Sequence, residues 1–165
     1  MKKYLSSFVA GFGAGVLQVV PFIKSFTCCL IIPIASYVAI LLDRKATKNF
    51  GIVRTKHAFM IGLMTGIYAA LFGTMFDIII TFITKNNDIV EMLPELQRMI
   101  NNFPFDENVK TQVISLLQIV RDEIIQYGFS FIYTLSIIIN NFIINTIFGI
   151  IGGLISAQII NSRIK

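Results

Sequence analysis

Four stretches of the chain are almost free of charge: about 4–22, 26–42, 58–84 and 127–160. Apolar residues occupy every face of these stretches, which is the pattern of a helix in lipid rather than of an amphipathic helix in water. A helix needs about 20 apolar residues to cross a hydrocarbon core about 30 Å thick. The first two stretches barely reach that length. The last two exceed it and are expected to tilt or project. Residues 85–126 have a different character. "NDIVEMLPELQRMINNF" places Ile89, Leu93, Leu96, Ile100 and Phe103 on one helical face, and beyond "FPFD" Val109, Val113, Leu116 and Val120 form a second stripe. Asp88 with Glu91 reads as a capping box, Asp106 as an N-cap, and Phe103-Pro104-Phe105 as the turn. The predicted fold is all-α, in one integral membrane domain over 1–165: a four-helix transmembrane bundle with an extracytoplasmic amphipathic helical hairpin, about 87–125, between the third and fourth spans.

The first two segments admit a rival reading as a re-entrant hairpin, since short Gly/Pro-interrupted segments build many transport sites. That reading pushes Lys24 into the bilayer at the hairpin tip, a costly position. Two full spans, kinked at Pro33, are preferred. The N-terminal "MKKYLSSFVAGFGAG" begins like a signal peptide, but its apolar core is short and no A-x-A-like site follows, so it is read as retained.

Small residues mark the faces on which helices approach closely. Gly62, Gly66, Ala70, Gly73 and Asp77 share one face of the third segment, and Asn141, Asn145, Gly149, Gly152 and Ser156 share one face of the fourth. With the inner ends placed at about 58 and 160, Asp77 is expected level with Asn141, Gly73 with Asn145, Gly66 with Gly152 and Gly62 with Ser156. The first segment adds Gly11, Gly15 and Gln18. Its "FVAGFGAG" echoes "FMIGLMTG" 51 residues later, a weak sign of a parallel repeat. Three GxxxG pairs (Gly11/Gly15, Gly62/Gly66, Gly149/Gly153) exceed the needs of one small bundle, which points to a homo-oligomer or a larger membrane complex.

Asp77 is the one carboxylate inside a span. At 1.5 Å per residue it lies about 28 Å from the inner end, in the outer leaflet or at its interface. An ionised carboxylate there is costly unless it is paired. Asp77, Asn141, Asn145 and Gln18 therefore form the candidate intramembrane polar site: either an interhelical hydrogen-bonded anchor or a proton- or cation-linked path.

Charge adds orientation. The N-terminus, the 43–57 loop and the C-terminus hold nine of the fourteen Lys and Arg residues and a single acid, Asp43, whereas seven acids lie between Asp88 and Glu123. Positive-inside counting makes both termini cytoplasmic. The net charge of +5 thus reflects topology rather than nucleic-acid binding, for which no recognition element is present. Only 14% of residues are charged and the mean hydropathy is +0.76, against about 25% charged residues in soluble domains.

Enzyme chemistry finds little footing. Cys28 and Cys29 are adjacent, so an unstrained disulfide between them is disfavoured, and they are too few for a zinc site. His57 is the sole histidine, placed with Arg54 and Lys56 at a helix start in the headgroup region, and no Ser/His/Asp grouping can be assembled around it. "GFGAG" lacks the strand–turn–helix setting of a dinucleotide loop. No cofactor or metal is expected. Partners are the lipid bilayer and a second subunit or complex member docked through the 87–125 hairpin.

The stretches "VPFIKSFTCCL", "YVAILLDRK", "HAFMIGLMTGIYAALFG" and "FGIIGGLISAQIINSRIK" resemble those of a loosely defined group of small bacterial four-span membrane proteins classed as domains of unknown function. The resemblance implies an inner-membrane location and a four-helix bundle. It supplies no activity, cofactor or catalytic residue. The expected function is a non-catalytic subunit or scaffold of a membrane complex, the alternative a small transporter or channel using Asp77 and the Asn141/Asn145 face.

Overall fold

A computed structural model describes residues 4–164, with the side chain of Cys28 left aside. Lys2, Lys3 and Lys165, used above for orientation, lie outside the described residues. The described chain is all-helical: α1 (Leu5–Gln18), α2 (Ile32–Thr47), α3 (Thr55–Thr84), α4 (Asp88–Asn102), α5 (Glu107–Tyr127) and α6 (Phe131–Ser162). Two of these, α3 and α6, are long and apolar enough to cross a membrane. The chain divides into two compact units, one of residues up to Phe76 together with Ile137 onward, the other Asp77–Ser136.

In the first unit α1 stops at Gln18, four residues before the apolar stretch does. Pro21 explains the stop: it has no N–H to donate and disfavours helical geometry at Val20. The chain turns through Phe22 at φ +67° and re-enters helix by a 3₁₀ turn (Lys24–Phe26) and a π turn (Thr27–Ile31). Pro33 occupies the first turn of α2, where a missing N–H costs nothing. The irregularity expected at Pro33 therefore falls in the turns before it.

The interior of this unit combines small and polar residues with four isoleucines, Ile32, Ile40, Ile61 and Ile160. Ser7, Ala10, Gly11, Ala14, Gly15 and Gln18 are buried on α1, and Ala35, Ser36, Ala39 and Ile40 on α2. Many other large apolar side chains point outward, among them Leu5, Val9, Ile34, Val38, Leu71, Ile143, Ile147, Ile151 and Ile155. Soluble proteins favour the opposite arrangement. α1 runs parallel to α3: Ser7 Oγ donates to Ile61 O (3.2 Å), Gly11 abuts Thr65 and Tyr68, and Gly15 abuts Phe72 and Gly73. Outside this seam Phe8 and Phe12 interlock edge-on with Tyr68, Phe72 and Phe76 at 5.0–6.0 Å between ring centres.

α3 and α6 meet backbone to backbone. A Cβ on Gly149 would lie 2.5 Å from Gly62 O, and one on Gly153 2.5 Å from Ala58 O. Gly62 thus faces Gly149 and Gly153, and Gly66 faces Asn145 and Gly149, about one helical turn from the register obtained by levelling the helix ends. The glycine contacts set the register, because they are the only places where two main chains can touch. Gly152 does not face α3 at all. It abuts Pro33 of α2, so the small residues of α6 serve two neighbours. Ser36 Oγ donates to Gly149 O (3.0 Å) and ties α2 into the same junction.

In the second unit α4 begins at an Asn87 cap, whose side chain accepts from Val90 N (3.1 Å). The cap lies one residue before the expected Asp88, and Glu91 instead accepts from Asn86 Nδ2 (2.8 Å). Asp106 caps α5 as expected, accepting from Asn108 N (2.8 Å). α5 ends at Gly128 with φ +73°, and Lys85 Nζ donates to the carbonyl of Gln126 in its last turn (3.0 Å). α4 packs against α5, with Leu93, Val120 and Ile124 buried. Of the expected α5 stripe only Val120 is buried. Val109, Val113 and Leu116 are exposed, while Ile114 and Leu117 take the half-buried positions in line with Ile124.

Candidate functional site

The residues of the expected polar site fall into separate hydrogen-bonded groups. Within the first unit, Gln18 closes α1 and reaches two helices. Its Nε2 donates to Ala69 O (3.3 Å), and its Oε1 accepts from Asn145 Nδ2 (3.1 Å). Gln18 is 7% and Asn145 2% exposed, so this link between α1, α3 and α6 is dry. Gly73 makes room for it, since a Cβ there would lie 2.5 Å from Gln18 Oε1. Asn141, one turn before Asn145, donates through Nδ2 to Thr74 Oγ1 (3.0 Å). Gln18, Asn145, Asn141 and Thr74 therefore satisfy one another across the seam, as buried polar groups must.

Asp77 belongs to the second unit and finds a partner the sequence reading missed. Tyr133 Oη donates to its Oδ2 (3.1 Å), and both side chains are half-buried. An aromatic hydroxyl near the start of α6 suits this role, because the ring fills apolar space while the O–H reaches a carboxylate.

A third polar group also escaped the sequence reading. His57 Nε2–H donates to Asp43 Oδ2 at 2.7 Å, with the Asp43 side chain 10% exposed and His57 42% exposed. The pairing follows from the hairpin: Asp43 ends the lipid-like part of α2 and His57 opens α3. A lone acid facing a lone histidine across a short connection was the available signal. The connection itself is stapled. Arg44 Nη2 donates to Phe50 O (2.5 Å) and Gly51 O (3.3 Å), while Asn161 of α6 brackets Val53, accepting from its N–H (2.8 Å) and donating to its carbonyl (3.0 Å). Asp43, His57, Arg44, Arg54, Thr47 and Asn49 line a cleft of about 510 Å³.

Compared with known proteins, the chain matches no family model, no curated protein and no solved structure.

Among the described residues no three His, Cys, Asp or Glu side chains converge in a way that could hold a metal ion. What the hairpin unit offers is surface. Met92, Met99 and Phe103 on and just after α4, and Phe105, Val109, Val113 and Leu116 on and just before α5, are each between 39% and 55% exposed. The same segment, residues 85–126, carries seven carboxylates against four basic residues.

Proposed function

We propose that this chain is a four-span integral membrane protein, its termini cytoplasmic, that acts as a non-catalytic subunit or scaffold of a membrane complex. Its helical hairpin docks a partner protein on the opposite side. The observation that carries the reading is the exposed apolar strip of α4 and α5, which persists after the two helices have packed together. Exposed apolar residues on a segment with seven carboxylates against four basic residues suit a partner with apolar contacts and basic margins. The glycine-lined helix seams of the first unit, with many large apolar side chains facing outward, support placing it in lipid. All three GxxxG pairs pack within the chain, so they do not by themselves argue for a second copy, and the partner reading rests on the hairpin.

The test is site-specific photo-crosslinking of the full chain in its native membrane, with the probe at Met99, at Val113 or at the outward-facing Ile143. The expected result is one protein adduct of constant mass from the hairpin positions and lipid adducts from Ile143. Lipid adducts from all three positions would overturn the docking role.

A second reading, a small proton- or cation-linked transporter, is favoured by Asp77 with its Tyr133 partner and by the Asn141 and Asn145 face. Its test is flux in proteoliposomes. Loss of a measurable proton or cation flux in Asp77→Asn, with folding intact, would establish it, and the absence of flux in the wild type would remove it.

A further inference from the structure

Two concavities of the first unit share three residues. An apolar groove of about 670 Å³ runs between α1 and α2, walled by Leu5, Val9, Leu42 and Ala46. Asp43, Thr47 and His57 form its polar end and also line the 510 Å³ cleft that contains Arg44 and Arg54. The apolar groove therefore borders the cleft that contains Arg44 and Arg54, with Asp43, Thr47 and His57 common to both.

Polar atoms in this region are left over. Ser6 is 9% exposed and lines the groove, yet its Oγ has no hydrogen-bond partner among the described residues. The Nε of Arg44 is buried and equally unpartnered, although the Nη2 of the same guanidinium is used by the loop. A buried hydroxyl and a buried guanidinium N–H without partners cost stability unless something supplies acceptors. Asp43, the one carboxylate lining both concavities, bonds to His57 and to neither of these atoms.

We infer that this composite site binds one anionic phospholipid, its acyl chain in the Leu5/Val9/Leu42/Ala46 groove and its phosphate in the Arg44/Arg54 cleft. Basic pockets beside membrane helices are suited to anionic head groups. The cleft has the two guanidinium groups of Arg44 and Arg54 against the single carboxylate of Asp43, which selects for an anion over a cation. The adjoining groove is what separates a lipid from a free phosphate, because a small anion leaves it empty. The inference rests on the membrane reading above and adds a ligand to it.

The test uses the full chain in a neutral detergent and native mass spectrometry. Phosphatidylglycerol, phosphatidylcholine or inorganic phosphate is added separately. The expected outcome is a single retained phosphatidylglycerol, preferred over phosphatidylcholine by about tenfold or more. Val9→Trp, at a 52% exposed position, should fill the groove and remove the bound lipid, whereas Ile151→Trp, on the outer face of α6, should not. Arg54→Gln changes an exposed side chain and should lower the preference for phosphatidylglycerol while leaving the fold intact, so the idea stays testable if Val9→Trp misfolds. Equal retention of both lipids, equal effects of the two tryptophans, or displacement by inorganic phosphate at matched concentration would overturn it. Alkaline carbonate extraction separates the two layers. A chain that washes off membranes sinks the membrane reading and the lipid site together, and one that stays but shows no preference sinks only the lipid site.

Discussion

Gly62 has room for a hydrogen and nothing more, because the carbonyl of Gly149 and the Cα of Gly153 lie where a Cβ would go. Gly62→Leu should force α3 and α6 apart and cost about 1–3 kcal/mol, measured by unfolding of the detergent-solubilised protein. Gly13, also in a helix, has open space around it. Gly13→Ala should be neutral or stabilise by up to about 1 kcal/mol, through helix propensity alone. If both substitutions behave alike, close packing is not what these glycines are for. The importance of Gly62, Gly66, Gly149 and Gly153 was legible from their spacing, since positions three and four apart share a helix face. Their partners were not legible. Spacing gives the face, while register depends on which backbone collides first. Likewise the wish of Asp77 for a donor was readable, but Tyr133 was hidden among many aromatic residues.

At the scale of elements, α4 and α5 expose the limit of periodicity. α5 is apolar on more than one face, so Val109/Val113/Leu116 and Ile114/Leu117/Ile124 are equally good stripes in sequence. Packing against α4 chose the second, together with Val120 of the expected stripe, and left Val109, Val113 and Leu116 uncovered. This gives a contrast of two substitutions. Leu93→Ala removes a side chain that is 5% exposed and should destabilise by about 2–4 kcal/mol. Met99→Ser, at a 53% exposed position, should change stability by less than about 0.5 kcal/mol. It should nevertheless weaken the crosslink expected at the hairpin. A Met99→Ser variant as damaged as Leu93→Ala would mean that the strip is structural. The long helices α3 and α6 were readable almost to their ends, because an uninterrupted apolar run has no competing pattern. α1 was overestimated by four residues because hydropathy ignores what Pro21 does to hydrogen bonding.

At the scale of the molecule, topology makes the sharpest prediction. In a background with Cys28 and Cys29 replaced by alanine, single cysteines at Phe50 and at Asn101 should label from opposite sides with a membrane-impermeant maleimide. Phe50 should be accessible only after the cytoplasmic face is opened, and Asn101 without that step. Labelling of both from one side would reject the four-span arrangement. The inside-out construction of the first unit has a further thermodynamic consequence. A soluble domain exposes apolar surface to water when it unfolds, which gives a large heat-capacity increment and a domed stability curve. Here many large apolar side chains already face outward, and in a bilayer the buried Ile32, Ile40, Ile61 and Ile160 would pass into hydrocarbon rather than water. Separation of its helices within a bilayer would wet very little new hydrocarbon. Its heat capacity of unfolding in lipid should therefore be far below the roughly 12–15 cal/mol/K per residue of soluble proteins. Its stability should fall almost linearly with temperature, with no maximum near room temperature and no loss on cooling.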